Sequence, residues 1–224
     1  VSPEALIPRS TYDVRNFVWG EDGRVTDIEV EPTHPNLEYT YMEVVVMKRE
    51  LLRFMVDKAV AHGLHDFRRD ILLPMIQEGK STVNAWEYTG PCWRLDSVQS
   101  FFKFNMDVLD SDNRRRLFPA DLPVYTKVRD DNPTRYIAGA KVSNAMVADG
   151  CVIEGEVENC VLFRGIKIAK GAKVSNCILM QDTVVEEGAK LEYIIADKEV
   201  TVTAGKDLKG TDSYPVYIVK HGRV

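Results

Sequence analysis

Apolar residues follow two different rhythms along the chain. Up to about residue 125 they fall in blocks of ordinary strand and helix length, whereas beyond it they fall in short phrases at a nearly constant step. Val25 to Val30 alternates loosely, and Tyr39 to Met47 (YTYMEVVVM) is a β-branched and aromatic run suited to a largely buried strand. Arg49 to His62 then places Leu51, Leu52, Met55, Val56 and Val60 on one helical face, with Gly63 as its stop. A second helix is predicted over Asp66 to Glu78, ending at Gly79, and Ser81 to Tyr88 is strand-like. Ser97 to Leu109 brings Val98, Phe101, Phe102, Asn105 and Val108 together at helical spacing, with Ser97 placed to cap. The order β, α, α, β, α predicts an α/β domain with a mixed sheet. Asp110 to Pro133 is aperiodic and contains three prolines, the composition of a connector, so the boundary is expected near residue 125, dividing 1–125 from 126–224.

In the second region Val142-Ser143-Asn144, Val157-Glu158-Asn159-Cys160-Val161-Leu162, Val174-Ser175-Asn176-Cys177-Ile178-Leu179 and Leu191-Glu192-Tyr193-Ile194-Ile195 recur at steps of 15, 17 and 17 residues. A second phrase interleaves: Gly150-Cys151-Val152, Gly171-Ala172-Lys173-Val174 and Gly188-Ala189-Lys190-Leu191. A step near 17 is close to three hexapeptides, one triangular coil of a left-handed parallel β-helix with aliphatic residues inside and small residues at the corners. Stacking of successive coils then puts Asn159 over Asn176 and Cys160 over Cys177. Paired amides satisfy one another at a corner, and Cys is a small apolar filler.

Charge and cysteine usage narrow the possible functions. Lys+Arg 29 against Asp+Glu 34 gives a net charge of -5, without the basic field that nucleic acid needs. The acidic excess lies wholly in residues 1–125, which hold 15 basic and 20 acidic side chains, against 14 and 14 in 126–224. Cys92, Cys151, Cys160 and Cys177 form no C-x-x-C pair, so buried reduced thiols are expected rather than disulfides or zinc. No run approaches the roughly 20 apolar residues that span a bilayer, and no signal-peptide pattern opens the chain, so a cytosolic protein is expected. The chain starts at Val1 in what reads as mid-domain, as part of something longer.

Many hexapeptide-repeat proteins are acyltransferases that use a histidine at a coil edge as general base. The four histidines are His34, His62, His65 and His221, so residues 126–220 contain none. The coils read instead as a rigid stack for subunit contact.

A helix ending in Asn105-Met106-Asp107-Val108-Leu109, a linker with Pro123-Val124-Tyr125-Thr126-Lys127 and coils opening Ser143-Asn144-Ala145-Met146-Val147-Ala148-Asp149-Gly150-Cys151-Val152-Ile153-Glu154-Gly155 resemble the C-terminal part of bacterial ADP-glucose pyrophosphorylases. The wording is similar to the GlgD type, the regulatory subunit found beside a catalytic one. The resemblance implies a partial nucleotidyltransferase-like α/β domain followed by the β-helix. It implies a family reaction in which ATP and glucose-1-phosphate give ADP-glucose and pyrophosphate with magnesium. It also implies where catalytic groups would lie, and the sequence departs there. At the Lys of the family's F-x-E-K-P phrase stands Glu31, in Ile28-Glu29-Val30-Glu31-Pro32, where a carboxylate repels the sugar phosphate. At the Ser and Gly of an S-M-G phrase stand Tyr41 and Glu43, which crowd the approach of glucose to the backbone. At the metal-holding Asp of W-x-D-V-G-T, Trp93-Arg94-Leu95-Asp96 puts Leu95, with Asp96 in register only through a gap. The Gly-rich nucleotide loop and the first metal Asp of the family would precede Val1.

The expected protein is thus a catalytically impaired regulatory subunit for glycogen biosynthesis, with no cofactor of its own. Its partner is a homologous catalytic subunit, in a homo- or hetero-oligomer, with no role for nucleic acid or membrane. A competent pyrophosphorylase remains open, as does an unrelated hexapeptide acyltransferase or scaffold. Arg114, Arg115 and Arg116 either grip a phosphorylated effector or form a solvated cationic helix end. His65 to Pro74 resembles the family's F-G-x-D-I-I-P segment, with Asp70 in a structural role.

Overall fold

The computed structural model of the protein describes residues 15–19, 23–30, 42, 44–79, 82–88, 90–127 and 129–224. Its contacts divide the chain into two units, Val1–Thr89 and Gly90–Val224. In the first, β1 (Arg15–Trp19) pairs antiparallel with β2 (Val25–Val30), and the register slips between Val18 and Trp19. The start of β2 is bonded on its other side, where Val25 N–H donates to Val83 O at 2.8 Å and Ala85 N–H to Gly23 O at 2.8 Å. The segment expected as a strand over Ser81–Tyr88 is thus reduced to one antiparallel bridge, Arg24 with Asn84. Helix α1 (Arg49–His62) has the predicted bounds, because Gly63 leaves the helix in the left-handed region at φ 64°.

The second predicted helix begins as a π-helix, Phe67–Leu72, and continues as α2 (Leu73–Gln77). Pro74 has no N–H for the Asp70 carbonyl, so the preceding turn is wider and Leu73 N–H reaches Arg68 O. Asp66 caps it, accepting from the N–H groups of Arg68 and Arg69. Val25 and Leu72 form a small core with Phe67, Leu73, Ile76, Val83 and Ala85.

Two expectations for this unit are corrected. Val44 to Met47 has no ladder partner among the described residues, and Val44 and Val46 are 74% and 96% exposed, so the described part of YTYMEVVVM is not a buried strand. On α1 only Met55 is buried, while Leu51, Leu52, Val56 and Val60 are exposed. Periodicity marks a face fit for burial, yet it does not supply the surface that covers it.

The second unit begins with α3 (Val98–Asp107), whose Ser97 cap accepts from Ser100 N–H at 3.0 Å while Ser100 Oγ accepts from Ser97 N–H. Part of the expected connector is helical: α4 (Ser111–Leu117) starts where Asp110 accepts from the N–H groups of Asp112 and Asn113. Then comes the left-handed parallel β-helix of hexapeptide repeats, about four turns.

Its first face stacks β3 (Arg135–Tyr136), β5 (Val152–Ile153), β7 (Lys167–Ile168), β10 (Val184–Val185) and β13 (Thr201–Val202). The second stacks the leading halves of β4 (Lys141–Val147) and β6 (Glu156–Leu162), then β8 (Lys173–Ser175), β11 (Lys190–Glu192) and β14 (Asp207–Lys209). The third stacks the trailing halves of β4 and β6, then β9 (Ile178–Leu179), β12 (Ile194–Ala196) and β15 (Val216–Ile218).

Each face reads differently in sequence because each meets a different environment. The second alternates, with Val157, Val174 and Leu191 inward between outward Lys, Glu and Ser. Outward ion pairs follow, Lys141 with Glu156 at 3.2 Å and Lys209 with Glu192 at 2.7 Å. The third face is apolar without alternation (AMV, CVL, IL, IIA, VYI), which in the middle coils suits strands covered on both sides. Its inward Leu162, Leu179 and Ala196 lie in the coil core. Its outward Ile178 and Ile195, 0% and 1% exposed, are covered by Phe102 of α3. That docking explains why the compact unit starts at Gly90, ahead of the compositional boundary near residue 125.

Lys141, Glu156, Lys173, Lys190 and Asp207 are successive partners, at steps of 15, 17, 17 and 17 residues. The short step arises at Gly155, where the chain turns without the extra residues used at Gly171 and Gly188. A Cβ there would sit 2.4 Å from Ala172 O and 2.9 Å from Ala169 O, so only glycine fits. Gly150 lies on a different corner from Gly171 and Gly188, which separates the phrases that sequence similarity had grouped. Among the described residues no helix is long and apolar enough to cross a membrane.

Candidate functional site

The corner joining the second and third faces repeats one residue type. Asn144, Asn159 and Asn176 occupy it in successive coils with φ of 44°, 50° and 51°, and Tyr193 follows at 55°. Asparagine tolerates this left-handed backbone better than most residues. The amides bond along the stack, Asn144 Nδ2 to Asn159 Oδ1 at 2.7 Å and Asn159 Nδ2 to Asn176 Oδ1 at 3.3 Å. Behind them Cys160 and Cys177 are fully buried, and their thiols donate to the carbonyls of Glu158 and Ser175 at 3.0 Å each. Burial pushes the Cys177 thiol well above its ordinary range, so it is inert filler, as expected.

The ladder forms one wall of a cavity of about 210 Å³. Phe102, Met106 and Leu109 from α3 and the turn after it supply the apolar side. Tyr193 and Asp212 complete it. Tyr193 stands against Phe102 with ring centroids 6.0 Å apart. Asp212 comes from the loop that lengthens the last step of the third face, where Ile195 pairs with Tyr217, 22 residues on. Asn144, Asn159 and Asn176 were legible as a repeat; the cavity was not, because it requires α3 to lie beside them.

Of the residues singled out from sequence, the described ones Leu95, Asp96, Arg114, Arg115 and Arg116 do not line this cavity. Glu31, Tyr41 and Glu43 lie outside the described residues. Asp96 is exposed just before the α3 cap, where its backbone N–H donates to Ser100 Oγ at 3.1 Å. Among the described residues no group of three or more His, Cys, Asp or Glu could hold a metal. Leu95 is 54% exposed. Trp93 is a packing residue: Nε1 donates to Asp107 Oδ2 at 3.0 Å and the indole lies edge-on to Phe104.

Of the three arginines, Arg114 donates to Val108 O at 2.9 Å and to Leu109 O, closing the end of α3. Arg115 pairs with Asp112. Asp70 accepts from the N–H groups of His65 and Asp66 at 3.0 Å each, a structural role. Those backbone donors hold its carboxyl below the usual range, as those of Arg69 and Arg68 do for Asp66. His221 pairs with Glu199 at 3.0 Å, and both are well exposed.

Residues 127–213 match the family described as GlmU-like, C-terminal hexapeptide. The GlgD glycogen biosynthesis protein of Geobacillus stearothermophilus is 59% identical over 120 residues, covering 54% of this chain and 35% of that protein. The glucose-1-phosphate adenylyltransferase of the same organism is 34% identical over 157 residues, 69% of this chain and 40% of the enzyme. Its homologues are the glucose-1-phosphate adenylyltransferases and GlgD proteins. A third relative, the GlgD protein of Bacillus subtilis (strain 168), is 41% identical over 93 residues, 42% of this chain and 27% of that protein. The chain spans well under half the length of these curated relatives.

Proposed function

We propose that this chain belongs to a regulatory, catalytically impaired subunit that works in glycogen biosynthesis beside a catalytic glucose-1-phosphate adenylyltransferase in the cytoplasm. The observation that carries the reading is the 59% identity to a GlgD protein over 120 residues, against 34% over 157 residues to the adenylyltransferase of the same organism. Glu31, Glu43 and Leu95 support it, since each stands where the family pattern calls for a cation, a bare backbone or a metal ligand. A carboxylate beside a sugar phosphate adds repulsion where a lysine would add a charge-assisted hydrogen bond. Magnesium belongs, in this reading, to the partner's reaction. Arg116, the member of the basic triplet with neither a capping carbonyl nor an acidic partner among the described residues, is the best placed of the three for a phosphorylated effector.

The coils contribute a rigid surface. Tyr214, Tyr217 and Val219 leave apolar area exposed on the last turn, 71%, 46% and 63%, suited to contact with a related subunit. Two measurements test the reading. Coexpressed with a catalytic subunit, the protein is expected to elute with it as one mixed oligomer. Titrated alone with glucose-1-phosphate, it is expected to give no heat of micromolar binding, an affinity of about 8 kcal/mol that requires a well-paired phosphate. Separate elution, or micromolar binding, overturns it.

A further inference from the structure

We propose that the cavity between the asparagine corner and α3 binds one ring of a neutral sugar. The inference is independent of whether the protein is catalytic, since neither Leu95 nor Asp96 lines the cavity and Glu31, Tyr41 and Glu43 lie outside the described residues. The argument rests on size, charge and the pairing of its polar groups.

The cavity holds about 210 Å³. That is below the ~300 Å³ lower bound of drug-sized pockets and is of the order of a single six-membered sugar ring. Among the described residues no lysine, arginine or histidine lines it, and the one charged group that does is the Asp212 carboxylate. A phosphate would therefore meet repulsion with no compensating cation among the described residues, and a metal ion would find a single carboxylate. Hydroxyl groups both donate and accept, so they match a wall that offers amide N–H, amide oxygen and carboxylate oxygen. The C–H face of the ring would lie on the Tyr193 side.

The ladder leaves its lower end open. Asn176 accepts through Oδ1 from Asn159, and its Nδ2 makes no hydrogen bond within the described residues. Asp212, on an exposed loop, lines the same cavity. The amides are held by each other and by a fixed backbone turn, so little ordering is needed when a ligand binds.

The test uses the whole 15N-labelled protein, titrated with glucose and, separately, with inorganic phosphate, while the Asn159 and Asn176 side-chain NH2 signals are followed. Glucose is expected to shift both signals saturably with a roughly millimolar dissociation constant, and phosphate to leave them in place. Asn176→Gly keeps the left-handed turn and removes the amide; together with Asp212→Ala it is expected to stay folded, melting slightly lower for the lost Asn159 bond, and to weaken glucose binding at least about fivefold. Absence of a saturable glucose shift up to about 100 mM overturns the proposal. So does a shift produced by phosphate, or unchanged affinity in the folded double variant.

Discussion

Gly155 sets how the second coil turns, because the carbonyl oxygens of Ala172 and Ala169 occupy the space a side chain would need. Gly155→Ala is expected to lower the stability of the coils by about 1–3 kcal/mol in urea unfolding, as overpacking does. Gly188 also turns, at φ 69°, yet nothing lies within 4 Å of its missing Cβ, so Gly188→Ala meets backbone strain alone, about 1 kcal/mol. Equal effects would remove the packed corner from the account. Asn159 is at once a left-handed turn residue and the middle of the amide ladder. Asn159→Gly removes only the ladder bonds and is expected to be milder than Asn159→Ala, which also strains the turn, by about 1 kcal/mol in the same unfolding measurement. Thiol labelling of the native protein should reach half-buried Cys92 and spare Cys151, Cys160 and Cys177 until the coils unfold. The sequence repeat revealed the asparagine and cysteine columns, since residues 17 apart that share a type point to stacking. It did not reveal that Gly150 turns a different corner from Gly171, because glycine answers several conformational needs with one letter.

Helix α3 joins the two kinds of pattern. Its cap was readable in Ser97, and its partner surface in the unbroken apolar phrases of the third face, but the match between them depends on the chain folding back. Phe102→Ala is expected to cost about 3–5 kcal/mol, and Ser97→Ala about 1 kcal/mol, both read from thermal or urea unfolding. The α1 face was legible as amphipathic, and among the described residues only Met55 is covered, so periodicity identified the element and not its neighbour. Helix α4 was hidden by its short length and all-polar surface, with the Asp110 cap as its one local signal. In the first unit, Asp66 and Asp70 have carboxyls held below their ordinary range by backbone N–H donors. A depressed folded value contributes stability that is present above the unfolded carboxylate range and is lost as pH falls through the folded value. Amide exchange over His65–Arg69 should therefore stay protected at neutral pH and accelerate below about pH 4, with Asp70→Asn showing the faster exchange already at neutral pH.

At the scale of the whole molecule, the β-helix was the most legible part, since a period repeated through several coils states its own register. The first region was less so. The family positions Glu31, Tyr41 and Glu43 carry meaning through the pattern they depart from, and that meaning concerns activity more than shape. The direct measurement is ADP-glucose formation from ATP and glucose-1-phosphate with magnesium, by the full-length protein alone, by a catalytic subunit alone, and by the two together. The account predicts no turnover above background for the protein alone and an altered rate or effector response for the mixture. Turnover by the protein alone at a rate comparable to the catalytic subunit, or a mixture that behaves as the catalytic subunit does by itself, would contradict it.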